Sequence, residues 1–140
     1  SERAEVEVTR MLNTLTDMER VGDHAENSVE KAKYIFDNGV HFTEEGIQDL
    51  QKIGQQAQAS FSLSINALED NSIDEVIDTK RSEDIVDRME REMREHHMQR
   101  LSEGKCSTSA GVAFLDVIGD LERISDHADN IAGYVKSMRQ

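Results

Sequence analysis

The 140-residue chain has no proline, no tryptophan, a single cysteine and only 4% aromatic residues. Without proline, nothing along the chain forces a helix to break or kink. The shortage of aromatics and of β-branched runs removes the usual material of a sheet, leaving an all-α chain. Cys106 has no partner for an internal disulfide, which fits a reducing compartment. No apolar run approaches the roughly 18 residues that mark a membrane span, and no signal-peptide pattern is present. Positive charge is also scarce. Sixteen Lys and Arg stand against 29 Asp and Glu, a net charge of -13. Such a surface repels phosphate backbones and anionic headgroups, which excludes direct nucleic-acid binding, and it attracts cations.

What is present is helical periodicity. Apolar residues make up 36% of the chain, enough for a bundle that buries one stripe per helix. A first helix is predicted from about residue 3 to 37. Its stripe is Val8, Leu12, Leu15, Met18, Gly22, Ala25, Val29, Ala32 and Phe36, and Asn38-Gly39 stops it. Thr43 caps a second helix, with Glu44 and Glu45 at its positive end. Ile47, Leu50, Gly54, Ala57, Phe61, Ile65 and Leu68 form its buried side, and Asn71 closes it. Ser72 to Glu75 has the form of a capping box and opens a third, highly charged helix that runs to about Leu101 and stops at Gly104. Ser107 or Thr108 caps a fourth, to about Met138, with Phe114, Ile118, Leu121, Ser125, Ala128, Ala132 and Val135 inward. Short connections make this an antiparallel bundle of four long helices.

One eleven-residue segment occurs twice. Asp17-Met18-Glu19-Arg20-Val21-Gly22-Asp23-His24-Ala25-Glu26-Asn27 returns as Asp120-Leu121-Glu122-Arg123-Ile124-Ser125-Asp126-His127-Ala128-Asp129-Asn130. Polar identity held in register points to a site built twice. The offset, 103 residues from Asp17 to Asp120, is about one three-helix unit. Residues 1–38 then read as the last helix of a first unit and 43–140 as a complete second unit. The chain opens mid-pattern, with Glu2, Glu5 and Glu7 around Val6 and Val8, as expected of a fragment of a longer protein.

Within each copy a Glu and an Asp are four residues apart: Glu19 with Asp23, and Glu122 with Asp126. On a helix these like charges stack on one face and repel by a few tenths of a kcal/mol unless something compensates. A divalent cation is one compensator, and Asn27 and Asn130 extend each ridge with an amide oxygen. Glu83 and Asp87 repeat the spacing on the third helix. All six carboxylates lie beside the core stripes, so the expectation is a shallow groove. The plain alternative is a solvated face laced with salt bridges. His24 and His127 point about 100° away from the preceding Asp and suit a bond to a neighbouring helix better than a shared ion. Arg20 and Arg123 are candidates to pair across the groove. His96-His97 is a weaker metal candidate, and Cys106 a packing residue in a turn. No nucleophile–base pair, phosphate-binding glycine loop or His-Glu-x-x-His motif is present, so no enzyme activity is expected.

Both copies resemble the signature segment of PhoU domains, regulators linked to phosphate uptake. His97-Met98-Gln99-Arg100-Leu101-Ser102-Glu103-Gly104-Lys105-Cys106-Ser107, followed by Ala110-Gly111-Val112-Ala113-Phe114-Leu115-Asp116, is similar to the C-terminal PhoU-like region of bacterial sodium/phosphate cotransporters. The resemblance implies a PhoU-type bundle attached to an upstream transporter membrane domain, on the cytoplasmic face of the membrane. It also implies divalent metal, iron or zinc, at Glu19 with Asp23, Glu122 with Asp126 and Glu83 with Asp87. Ser125 departs from the pattern, standing where Gly is usual. Two other functions stay open: a free-standing PhoU-type regulator of phosphate uptake, and a carboxylate-bridged di-metal protein. An uncovered stripe on the first helix invites a homodimer, or docking of that helix onto the second unit.

Overall fold

A computed structural model describes residues 1–139. They form four α-helices: α1 (Glu2–Asp37), α2 (Glu44–Asp70), α3 (Ile73–Ser102) and α4 (Thr108–Met138). Each begins at a hydroxyl cap that accepts a backbone N–H three residues on: Ser1 from Ala4, Thr43 from Gly46, Ser72 from Glu75 and Ser107 from Ala110. Left-handed residues turn the chain after the helices, with Asn71 at φ 49°, Gly39 at φ +60° and Gly104 at φ +71°. The expected capping box forms only one arm. The Ser72 N–H donates to Ala67 O, and Glu75 Oε2 is left buried without a hydrogen-bond partner. Burial first, then the neighbouring Asp70, holds the Glu75 carboxyl above its ordinary pKa.

Helices α2, α3 and α4 all pack on one another, whereas α1 packs on α4 alone. One apolar cluster, Ile53, Val86, Met93, Phe114 and Ile118, fills the end of the bundle near the α3–α4 turn. A smaller one, Ala67, Val76, Ala132 and Val135, fills the other. Between them lies a layer of buried hydroxyls. Ser125 on α4 donates to Ser60 on α2 at 2.9 Å, Ser60 and Ser82 on α3 are 2.6 Å apart, and Gln56 donates to Ser82 at 2.8 Å. Ser125, through Ser60 and Ser82, thus helps tie three helices together.

That layer shifts the expected face of α2. Its buried residues are Gly46, Ile53, Ala57, Ser60, Ser64 and Ala67, and Ile47 is exposed. Two serines occupy places that an apolar count reserves for larger side chains.

The apolar stripe of α1 stays uncovered, and the docking of α1 that was expected to cover it uses another face. Val8, Leu12, Leu15, Val29 and Phe36 are exposed, Phe36 to 87%. The face on α4 is Thr14, Asp17, Val21, His24, Ser28, Lys31 and Ile35, spaced alternately by three and four residues as in a helix–helix seam. The cause lies in the repeat. Leu15, Gly22, Ala25 and Val29 correspond, 103 residues on, to Ile118, Ser125, Ala128 and Ala132, which α4 buries against α2 and α3. Helix α1 docks on the opposite side of α4 and presents to solvent the face that α4 buries.

Candidate functional site

Helices α1 and α4 run antiparallel, and their two motif copies meet about a local two-fold. Asp17 Oδ1 stands 2.8 Å from His127 Nδ1, and Asp120 Oδ1 stands 3.3 Å from His24 Nδ1. The two imidazoles stack between these contacts, 5.6 Å apart and 18° from parallel. The histidines thus bond to the neighbouring helix, as their direction predicts. The environments differ. Asp17 also accepts from Asn130 at 3.3 Å. Asp120, almost wholly buried, takes a 3.0 Å bond from Lys31 and lies 3.6 Å from Arg123 on its own helix. Arg123 therefore pairs along α4 and not across the groove, as was expected of it. Asp17 and Asp120, which open the two copies, and Lys31, just beyond the first, hold the seam, although none of them was singled out as a candidate. Their seven-residue spacing to the histidines was the available signal.

The carboxylate ridges point away from this seam. Glu122 and Asp126 face α3, where Glu83 is buried and Asp87 half-buried. The α3–α4 groove therefore gathers four acids. Asp126 is pushed up to about 6, first by burial and then by its bond to Glu122 and the charges of Glu122 and Asp87. Glu83 is also raised, by burial and by Asp126, with Lys80 opposing. Lys80 is the local counter-ion: its Nζ lies 2.9 Å from Glu83, 3.4 Å from Asp84 and 3.7 Å from Asp129. These contacts, the bond to Glu83 first, raise the pKa of its ammonium. Glu19 and Asp23, the equivalent ridge on α1, are exposed, and α1 packs on neither α2 nor α3.

Among the described residues, no group of three or more His, Cys, Asp or Glu side chains is placed to hold a metal ion. The groove collects the right donor type but aims its oxygens at Lys80 and at one another. His96 is exposed and His97 buried, so the adjacent pair has no common side. His97 stacks on Phe114 at 4.7 Å, and burial followed by the charge of Arg100 lowers its pKa. Among the described residues, no helix is long and apolar enough to cross a membrane.

A family model described as the PhoU domain matches residues 50–135, from within α2 to the last turns of α4. The chain belongs to the PhoU domain family. Two curated relatives extend the likeness. A phosphate-specific transport system accessory protein, PhoU homolog 1 of Thermotoga maritima, is 25% identical over 124 residues, 89% of this chain and 53% of the relative. A protein of Clostridium acetobutylicum named as a PhoU homolog of the same system is 25% identical over 117 residues, 84% of this chain and 52% of the relative. This PhoU chain thus spans about half the length of the curated relatives it matches. No solved structure matches it significantly. The matched range holds the α4 ridge and the α3 carboxylates, while the α1 copy lies outside it.

Proposed function

We propose that this PhoU domain is a non-enzymatic regulatory module of phosphate transport, carried on the cytoplasmic face of the membrane by an upstream sodium/phosphate cotransporter domain. The observation that carries the regulatory role is the alignment of 89% and 84% of the chain with proteins named as accessories of phosphate-specific transport. Support for the cotransporter context comes from the segment His97 to Ser107 followed by Ala110 to Asp116. The exposed α1 face would pack against the remainder of that parent or against a second copy of the domain. A free-standing accessory protein is the competing reading, favoured by the names of the same relatives. The chain upstream of Ser1 separates the two: several long apolar helices there support the cotransporter, and a short polar start contradicts it.

Divalent cations, iron or zinc among them, are the proposed ligands of the α3–α4 groove, through Glu83, Asp87, Glu122 and Asp126, and of Glu19 and Asp23 once the α1 ridge gains a facing helix. What supports it is the gathering of these four acids in one groove, with Asp126 raised to about 6 by burial first and then by Glu122 and Asp87. Titration of chelator-stripped protein with iron, manganese and zinc tests this. Binding is expected to be lost in a variant carrying Glu19→Gln, Asp23→Asn, Glu122→Gln and Asp126→Asn. Equal binding by both proteins removes the metal. For the regulatory role, neutralising the same four residues in the parent should alter phosphate uptake, and unchanged uptake contradicts it.

A further inference from the structure

Helix α1 carries one long apolar face without a partner. It packs on α4 alone, and on its other side Val8, Met11, Leu12, Leu15, Val29 and Phe36 are between 53% and 87% exposed. The spacing of that face is stricter than a core stripe needs. Val8, Leu15, Gly22, Val29 and Phe36 fall every seventh residue, and Met11, Met18, Ala25 and Ala32 fall every seventh residue between them. An apolar pair repeated every seven residues for about 42 Å of helix is the pattern of a coiled-coil seam. On α4 the equivalent series is Gly111, Ile118, Ser125, Ala132 and Arg139. It opens on a glycine, ends on a charge, and carries at its centre the hydroxyl that bonds Ser60 of α2. The α1 series is apolar at both ends and has no hydroxyl at its centre. It suits a dry seam against one straight helix.

The order of sizes along this face fits the same face turned end for end. With a two-fold axis level with the Asp23–His24 peptide, Gly22 meets Ala25 of a second copy, Leu15 meets Ala32, Met18 meets Val29 and Met11 meets Phe36. The smallest layer lies at the crossing, where the helices come closest. Beyond it a longer side chain meets a shorter one, and at the ends a thioether meets an aromatic ring. In a parallel pair each residue would meet itself, Gly22 on Gly22 and Phe36 on Phe36, leaving a gap in one layer and crowding in another. Covering the face in both copies removes on the order of 1,200 Å² from water, the lower limit of a stable specific interface. At the edge of the seam Glu19 meets Glu26 of the second copy, an exposed like-charge contact that weakens the pair slightly.

We propose that the bare face of α1 is a self-association surface: two copies of this chain pair through it as an antiparallel, two-fold coiled coil. The pair is weak, with a dissociation constant on the order of 100 µM, as befits an interface at the lower size limit with like charges on its edge. At low micromolar concentration the copies are apart and the face is open. The inference takes up the second of the two occupants named above for this face, and it rests neither on the regulatory role nor on metal in the acidic groove.

Sedimentation equilibrium of the 140-residue chain tests this, from about 5 µM to about 1 mM and at about 0.15 M salt, which screens long-range repulsion between the acidic copies. A reversible monomer–dimer equilibrium is expected. Leu15→Glu and Val29→Glu, both at exposed positions that the fold does not need, should each weaken it more than about tenfold, the effect of a charge set in an apolar seam. Glu26→Lys, which meets Glu19 of the second copy, should tighten it several-fold, and Glu95→Lys, the same change of charge on α3, should not. Orientation is read in a Cys106→Ser background. A Leu15→Cys chain mixed with an Ala32→Cys chain should give the mixed disulfide in preference to either symmetric one. A chain that stays monomeric over the whole range overturns the proposal and assigns the face to another protein segment, leaving the regulatory role to its own test in phosphate uptake. A dimer indifferent to both glutamate substitutions, or one that cross-links symmetrically at Leu15→Cys, overturns it as well.

Discussion

The two copies of the repeated segment carry nearly the same residues and lead different lives. In both, the Asp and His that flank the local two-fold turn inward and clasp the opposite helix, Asp17 with His127 and Asp120 with His24. The rest of each copy diverges. On α4, Ile118, Ser125 and Ala128 are buried against α2 and α3, and Glu122 and Asp126 are pressed toward Glu83 and Asp87. On α1, the equivalent Leu15, Gly22 and Ala25 are exposed, as are Glu19 and Asp23. One side of the motif is thus an adhesive between two like helices, and the other a socket for a facing helix pair. Only the α4 socket is filled within residues 1–139.

The widest contrast should come from paired core substitutions. Ile118→Ala removes a fully buried side chain and should cost about 2–5 kcal/mol, whereas its counterpart Leu15→Ala, on an exposed residue, should stay within about 0.5 kcal/mol. Urea unfolding monitored by circular dichroism reads both. The seam should show the next largest difference. Asp120→Ala leaves Lys31 without its 3.0 Å partner and His24 without an acceptor, and should cost about 3 kcal/mol. Asp17→Ala, at the more open end, should cost about 1 kcal/mol. Equal losses would erase the asymmetry between the two ends.

Exchanging the small residues sharpens the comparison further. Ser125→Gly takes away the hydroxyl that bonds Ser60 and adds a glycine to a helix interior, together about 1–2 kcal/mol. Gly22→Ser, in open space on α1, should stabilise by about 0.5 kcal/mol through helix propensity alone.

The smallest effect is on pH dependence. Asp126 binds its proton more tightly folded, at about 6, than its ordinary 3.8. Its folded state is therefore favoured at low pH, and that contribution is lost as pH rises from about 4 to 6. Asp126→Asn should leave stability at pH 4 unchanged and raise it at pH 7 by about 1 kcal/mol, after allowance for solvent screening at a half-exposed site. Asp23→Asn, on the bare ridge, should alter neither.

Much of this fold is legible in the chain. The hydroxyl caps of α2, α3 and α4, the left-handed Asn71 and Gly104, and the α4 stripe follow from local chemistry that tertiary packing does not override. The covered face of α1 does not follow. Its residues carry two adjacent stripes, one apolar at Leu12, Leu15 and Val29 and one mixed at Thr14, Val21 and Ser28. Periodicity gives their angles but not which of them another helix occupies. The serine layer is hidden for a related reason: Ser60, Ser82 and Ser125 become core residues only by bonding one another across three helices. Burial of Arg100 is equally silent, because Phe114, whose ring lies under its guanidinium, is on another helix. Of the candidate site, the Glu-x-x-x-Asp spacing was readable and its grouping with Glu83 and Asp87 was suggested, but the reach of Lys80 from α3 to Asp129 on α4 needed the third dimension.

Thiol labelling tests the central contrast most directly. In a Cys106→Ser background of the 140-residue chain, Leu15→Cys and Ile118→Cys place a reporter at equivalent positions of the two helices. The account predicts that the α1 thiol reacts at nearly the rate of a free thiol under native conditions, while the α4 thiol reacts only as the protein unfolds. Equal protection at both positions would contradict it.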